Sequence, residues 1–413
     1  MLRVQIVIET AGLVAVRGAW EDLLARSALS EPTLSPSWLL PWWRVFGPLD
    51  GRELRAVLFW EGQRLVGLAP FCERSRRHRL GLSLRALELC GSGEEEADET
   101  GSDYLGVVVE RGAEPAIARE LAELLTTSSG LLGAWDELRM PAMRGDDLLP
   151  VLLARELRAR GADALLEMTG ACPLIPLPAT WDAYLAALPS SRRYLVRRSL
   201  RDLEAWAGAP LRLSRVTRPE ELPAATDTLI RLHEGRWSSD GKPGAFASPR
   251  FRAFHAEVMP ALLERGALEL SWLEARGEPI AAIYNIVWQG RVCFYQGGRR
   301  TDLPEKLRAG IALQALAIRD AIAAGHKEYD FLAGTSRYKM ELSLAVRPLV
   351  QLYATRPSLT DTVRRVADLA LDQARLLRRA FAGPTLGQGR TPPGPTSPSS
   401  GGEASKTRDA VSP

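Results

Sequence analysis

Residues 329–343 read "YDFLAGTSRYKMELS": an apolar stretch of strand character, a break at Gly334, then Tyr338, Lys339 and Glu341 crowded just beyond it. Asp330 lies inside the apolar stretch. In open α/β sheets, ligands bind outside the carboxyl ends of strands. The segment therefore reads either as a site at a strand end or as the start of a solvated helix. Its upstream neighbours are a strand, "RVCFYQGG" at 291–298, and a strongly apolar helix, "GIALQALAIRDAIAAG" at 310–325. Before those come the helix "PRFRAFHAEVMPALLE", started by Ser248, and a hairpin, "ALELSWLEA" with "PIAAIYNIVW", turning at Arg276-Gly277-Glu278.

The same order of elements occurs in the first half. "SPSWLLPWWRVF" reads as a helix capped by Ser35, followed by a hairpin, "ELRAVLFW" with "RLVGLAPFCER", turning at Glu61-Gly62. A strand "DYLGVVV", a helix "AIARELAELL" and a strand "WDELRM" complete it. Helix, hairpin, strand, helix, strand appearing twice predicts two copies of one α/β fold. The division falls at "CPLIPLPATW", residues 172–181, where three prolines punctuate an extended segment. Expected units are a first lobe at 1–171, a second at 172–356, an amphipathic helix at 357–382 and a disordered tail at 383–413. The tail is Pro/Gly/Ser-rich and lacks the apolar surface that would offset ordering entropy.

Composition narrows the function. In 413 residues, 53 basic and 50 acidic side chains leave a net charge of +3, so the chain as a whole is no obvious nucleic-acid binder. The four cysteines are scattered without a Cys-x-x-Cys pair, and the four histidines lack metal-ligand spacing, so neither a disulfide framework nor a metal site is expected. "MLRVQIVIETAGLVAV" carries Glu9 and alternates, unlike a signal peptide. "WLLPWWRVF" is too short and too interrupted to span a bilayer. A soluble cytoplasmic protein is expected. Gly-x-Ser-x-Gly, His-Glu-x-x-His and a full phosphate-loop motif are all missing from the sequence.

Arg308 and Gly310 stand at the start of the apolar helix, where free N–H groups and the helix dipole favour an anion. Arg299, Arg300 and Lys306 would add charge. The alternative is a small residue easing helix entry beside a solvated loop. In "SSRRYLVRRSLRDLEAW", Arg192, Arg193, Arg197, Arg198 and Arg201 form either a solvated face or a landing surface for a phosphorylated substrate or RNA. The run "RSRRHR" at 74–79 is expected in an exposed loop. "LHEGRWSSDGKPGAF" ends a helix in a Gly-rich loop, so His233, Arg236 and Trp237 are either packing residues or a substrate-recognition group.

From about 176 to 355 the sequence resembles the GNAT acyltransferase superfamily, and in particular the bacterial branch near cellulose and exopolysaccharide genes, related to the FemAB peptidyltransferases. The resemblance rests on "LHEGRW", "WLEARGEPIAA", "FYQGG", "RAGIAL" and "YDFLAGTSRYKMELS". It implies tandem GNAT-like lobes, each a mixed sheet flanked by helices, and transfer of an acetyl or other acyl group from acyl-CoA to an amine of a small or sugar-linked acceptor. The phosphate turn would be Arg308-Ala309-Gly310-Ile311-Ala312, one residue short of the family's form. FemAB relatives use aminoacyl-tRNA, which is the alternative donor; a non-catalytic binding module is the alternative class. Within this resemblance Asp330, preferred over Glu341, would remove the acceptor's proton. Tyr338 would protonate the leaving thiolate, Lys339 would orient substrate or Asp330, and Tyr295 would line the substrate site with His233, Arg236 and Trp237.

Overall fold

The computed structural model describes residues 2–77, 81–127, 132, 135–304, 306–357 and 361–363. Residues 1–364 form one compact unit. The helix and tail expected at 357–382 and 383–413 lie outside the described residues, apart from 357 and 361–363.

The first half opens with β1 (Arg3–Val7), α1 (Thr10–Ala15), α2 (Arg17–Arg26) and α3 (Pro36–Phe46). Strands β2 (Glu53–Leu54), β3 (Ala56–Glu61), β4 (Arg64–Ala69), β5 (Phe71–Arg77), β6 (Ser83–Leu89) and β7 (Val108–Val109) follow. Then come α4 (Glu114–Thr126), β8 (Glu137–Arg144), α5 (Leu148–Ala159) and β9 (Asp163–Pro176). The second half runs α6 (Trp181–Ala187), α7 (Ser190–Ala207), β10 (Leu213–Arg215), α8 (Leu222–Ser239) and α9 (Pro249–Glu264). It continues with β11 (Leu268–Ala275), β12 (Glu278–Trp288), β13 (Arg291–Arg299), α10 (Ala309–Ala323), β14 (Glu328–Asp330), α11 (Arg337–Leu342) and β15 (Ala345–Thr355).

These elements make a mixed α/β structure with two sheets flanked by helices. One sheet has the order β1-β3-β4-β7. The other has eleven strands in the order β10-β11-β12-β13-β14-β9-β15-β8-β6-β5-β2. Strands from both halves share this larger sheet. Its middle is β9, which runs through residues 171 and 172 and pairs with β14 on one edge and β15 on the other. β15 in turn reaches β8 of the first half.

The helices follow from sequence pattern. α10 is buried on almost every side between the sheet and α7, which explains why "AGIALQALAIRDAIA" is apolar all round rather than on one stripe. The Ser248 hydroxyl accepts the Phe251 N–H and caps α9 as expected. Ser35 occupies the start of α3, but its hydroxyl donates to Pro32 O instead of capping. Three expectations are corrected. "DYLGVVV" is strand only at Val108–Val109, because Tyr104 takes φ +63° and breaks the extended run. "KEYDFLAG" is strand only at Glu328–Asp330. "RSRRHR" is no loop at Arg74–Arg77: this part belongs to β5, with Arg74 and Arg76 both paired to the buried Glu88.

Candidate active site

β13 and β14 run parallel from Arg291/Glu328 to Cys293/Asp330, and there β14 stops while β13 continues to Arg299. The sheet therefore splays beyond Cys293. In the β12–β13 pairing, Asn285 opposes Phe294 and Tyr284 opposes Gln296, which leaves Tyr295 as an extra, bulged residue at the splay. A cavity of about 590 Å³ opens beside it. Its walls are Phe294 and Gly297–Arg299 of β13, the loop to α10, residues Arg308–Ile311, and Arg337, Tyr338 and Glu341 of α11.

The α10 end of this cavity suits an anion. The first helical bond is Ala312 N–H to Arg308 O, and no side chain caps the helix. The N–H groups of Ala309, Gly310 and Ile311 thus lack intrahelical acceptors. A Cβ added at Gly310 would meet only the Arg299 side chain, 3.4 Å away. Four of the five residues expected to bind the donor, Arg299, Arg308, Ala309 and Gly310, come together on this cavity. The fifth, Lys306, lines a neighbouring cavity of about 300 Å³.

The residues expected to act in catalysis separate. Tyr338 lines the large cavity, edge-on to Phe294, and burial pushes its hydroxyl up to about 12. Glu341 also lines it and accepts from Arg337 at 2.8 Å. Asp330 does not: it is fully buried, with Oδ1 accepting the Leu332 N–H at 2.8 Å and Oδ2 accepting from Tyr104 OH at 2.8 Å and Arg347 at 2.9 Å. Burial raises its pKa, against the pull of Arg291 and Arg347. With both oxygens occupied and sealed from the cavity, Asp330 is placed to brace the chain rather than to take a proton from an acceptor. Lys339 Nζ arches back to donate to Ala333 O at 2.6 Å and does not contact Asp330.

The substrate-binding group divides in the same way. Arg236 lines the cavity and lies 4.5 Å from the Trp237 ring. His233 is buried: Nδ1 donates to Gly297 O at 3.1 Å and Nε2 accepts the Ala245 N–H at 3.2 Å. Those two bonds fix a neutral tautomer, and burial lowers its pKa to about 4. His233 therefore pins α8 to β13. A Cβ on Gly298 would overlap the Leu232–His233 backbone, so glycine there permits this close approach. Trp237 is not on the cavity wall, and its indole N–H is buried without a partner among the described residues. Tyr295 turns its hydroxyl away, accepting from His255 Nε2 at 2.9 Å and donating to Thr100 O at 2.5 Å.

Thr100 belongs to an acidic loop of the first half, and this loop holds residues that sequence reasoning missed. Asp103 Oδ2 accepts the Ala333 N–H at 2.7 Å, directly at the strand end. Burial raises the Asp103 carboxyl to about 7, opposed by the Ala333 bond and by Lys339. Its neighbour Tyr104 holds Asp330 and is surrounded by the guanidiniums of Arg144, Arg291 and Arg347, each within 5.8 Å of the ring. Arg144 and Arg291 both pair with the fully buried Glu31. The turn after β14 is thus gripped by Asp330, Asp103 and Lys339, and this grip holds Leu332 at φ +56°, a conformation costly for a branched side chain. "GSDY" contains no motif, and the contact joins residues 230 apart in sequence. Only the fold could reveal it.

The parallel strand pair splays at a bulge, and the uncapped N-terminus of α10 opens on the same cavity. Residues 190–340 match the family model described as an acetyltransferase (GNAT) domain. The chain is accordingly an acyltransferase carrying a GNAT domain. The solved structure of FemX superposes with a TM-score of 0.57 at 11% identity, covering 85% of this chain and 98% of that one. At that identity the likeness is one of fold. L-PGS from Bacillus licheniformis superposes less closely, at a TM-score of 0.47 and 11% identity over 84% of this chain and 95% of that one. A tandem GNAT protein from the clavulanic acid biosynthesis pathway gives 0.40 and 13% over 87% and 100%. No curated protein matches the chain. Among the described residues, no helix is long and apolar enough to cross a membrane, and no cluster of His, Cys, Asp and Glu could hold a metal ion.

Proposed function

We propose that the chain transfers an acyl group, acetyl in the simplest case, from acyl-CoA to an amine of a small or sugar-linked acceptor in the cytoplasm, with cell-envelope or polysaccharide synthesis as its setting. The observation carrying this reading is the large cavity, which joins an uncapped helix N-terminus to a bulged, splayed strand. The donor's pyrophosphate would lie on the N–H groups of Ala309, Gly310 and Ile311, beside Arg299 and Arg308. Its pantetheine arm would run along Gly297–Arg299 as an added strand, bringing the thioester to the bulge at Tyr295. A backbone N–H there would polarise the carbonyl.

The amine attacks the thioester carbon, the C–S bond breaks, and the amine's proton must leave. Asp103 does not line the large cavity but keeps some exposure where Asp330 has none; it is assigned as proton acceptor through an intervening water, a carboxyl near pKa 7 being matched to that task at neutral pH. Tyr338 protonates the departing thiolate. Asp330 and Lys339 hold the turn on which the acceptor rests, and Glu341 sets Arg337 against the donor's phosphates. The two lobes, divided at 171/172, have distinct parts: the second holds the donor, and the first supplies Asp103 and Tyr104.

Aminoacyl-tRNA remains the second reading for the donor, favoured by the arginines of α7. An amine panel incubated with acetyl-CoA, read by release of free thiol, tests the first reading. Thiol release that depends on both enzyme and amine supports it. Transfer from aminoacyl-tRNA with no turnover of acetyl-CoA would replace it with the second.

A further inference from the structure

Gln314 is the one polar residue among those that α10 buries, and it is only 3% exposed. It nevertheless lines the large cavity, one helical turn beyond Gly310. Its orientation is imposed from behind. Glu269 is buried as well and, as a carboxylate, can only accept. Asn285 Nδ2 donates to it at 3.4 Å, and the Asn285 side chain also bonds the Tyr329 hydroxyl. That hydroxyl in turn donates its proton to Gln314 Oε1 at 2.9 Å. With Oε1 turned back toward Tyr329, the amino group of Gln314 faces the cavity. Its Nε2 has no acceptor among the described residues and is not sealed from the cavity.

The Tyr329 bond also sets where this donor stands. Tyr329 pairs with Val292, one step before Cys293 and Asp330, where β13 and β14 part. The amide is therefore drawn toward the splay and away from the N-terminus of α10. Phe294 and Leu313 of the same wall bring no polar side-chain atom to a ligand. An N–H pair among apolar side chains loses hydration when an alkyl group covers it, and keeps a bond only when the group brings an oxygen.

We propose that Gln314 makes the protein selective for acyl groups that carry an oxygen beyond the thioester carbonyl, a ketone or a hydroxyl, over alkyl acyl groups of the same length. The inference rests on the acyl-CoA reading and narrows its acyl group. A fixed hydrogen-bond donor rejects an analogue lacking the acceptor more sharply than an apolar pocket rejects a change of size.

The test is calorimetric titration of the full chain with butanoyl-CoA and with its 2-hydroxy, 3-hydroxy and 3-oxo forms, with coenzyme A as reference. At least one oxygenated thioester should bind about tenfold more tightly than butanoyl-CoA, the effect of one buried donor satisfied rather than covered. Gln314→Met keeps the length of the side chain without its N–H groups, so the preference should vanish; binding of coenzyme A reports that the variant is folded. Tyr329→Phe keeps the amide but frees it to turn, and should weaken the same preference, which decides the matter if the methionine variant does not fold. Equal or tighter binding of butanoyl-CoA by the wild type overturns this inference alone, as does a preference that survives Gln314→Met. Failure of coenzyme A and all four thioesters to bind the wild type overturns the acyl-CoA reading along with it.

Discussion

Replacing Asp103 with asparagine should make the protein more stable and less active, and both effects should depend on pH. A carboxyl raised from its ordinary 3.8 to about 7 binds its proton more tightly folded than unfolded. Its stabilising contribution is therefore complete below pH 3.8 and is lost as pH rises through about 7. Above pH 8 the ionised, buried group costs up to about 4 kcal/mol, at about 1.36 kcal/mol per tenfold in proton affinity. Asparagine keeps an oxygen for the Ala333 N–H but forfeits the attraction of Lys339, so a net gain of about 2 kcal/mol at pH 8 is expected. That gain should shrink steadily toward pH 4. Over the same range wild-type kcat/KM should rise through about pH 7 as the carboxylate forms. The variant should lose that rise, with kcat lower by about 10² to 10⁴. Denaturant melts and thiol-release rates measured in the same buffers decide the matter. Unchanged turnover in a folded Asp103→Asn protein would remove Asp103 from the chemistry. Absence of any pH-dependent stability gain would show that its carboxyl is not held up by burial.

Two further substitutions separate bracing from chemistry. Asp330→Asn leaves Arg347 and Arg291 facing a neutral partner in a buried network, and should cost about 3 kcal/mol of stability, visible in a urea midpoint; rates normalised to folded protein should stay within about threefold, because the residue is sealed from the cavity. Tyr338→Phe should lower kcat about tenfold with little change in KM or melting temperature, since water can serve a good thiolate leaving group and the bond lost to the Ser336 side chain is a local one.

Regular elements were legible because their signals are local. The hairpin of β11 and β12, the turn at Arg276–Gly277 with both residues at positive φ, and the apolar α10 follow from alternation, turn chemistry and hydrophobic run length. The helix start at Arg308–Gly310 was legible for the same reason: glycine and basic flank are contiguous with the apolar run. The end of β14 was not. Apolar residues continue through Leu332, yet Asp330, Asp103 and Lys339 bend the backbone away from the sheet through bonds that exist only after folding. Asp330 drew attention by its place in an apolar strand, a place equally required of a buried brace. Asp103 lay in a polar stretch that reads as solvent loop, and the groups that bond or face its carboxylate, Ala333, Asp330 and Lys339, come from the other half of the chain, with Glu99 the nearby charge of its own half.

Binding of acetyl-CoA to wild type and to Gly310→Asp decides whether the N-terminus of α10 receives the phosphates of an acyl donor. At a hundredfold excess over Kd the ligand should stabilise the wild type by about 2.7 kcal/mol, read as a rise in melting temperature. The aspartate places a side chain and a negative charge where Gly310 leaves room beside Arg299, so the variant should melt normally on its own and show no rise with ligand. A wild-type melting temperature unmoved by acetyl-CoA, or an equal rise in Gly310→Asp, would rule out donor phosphate binding at the start of α10.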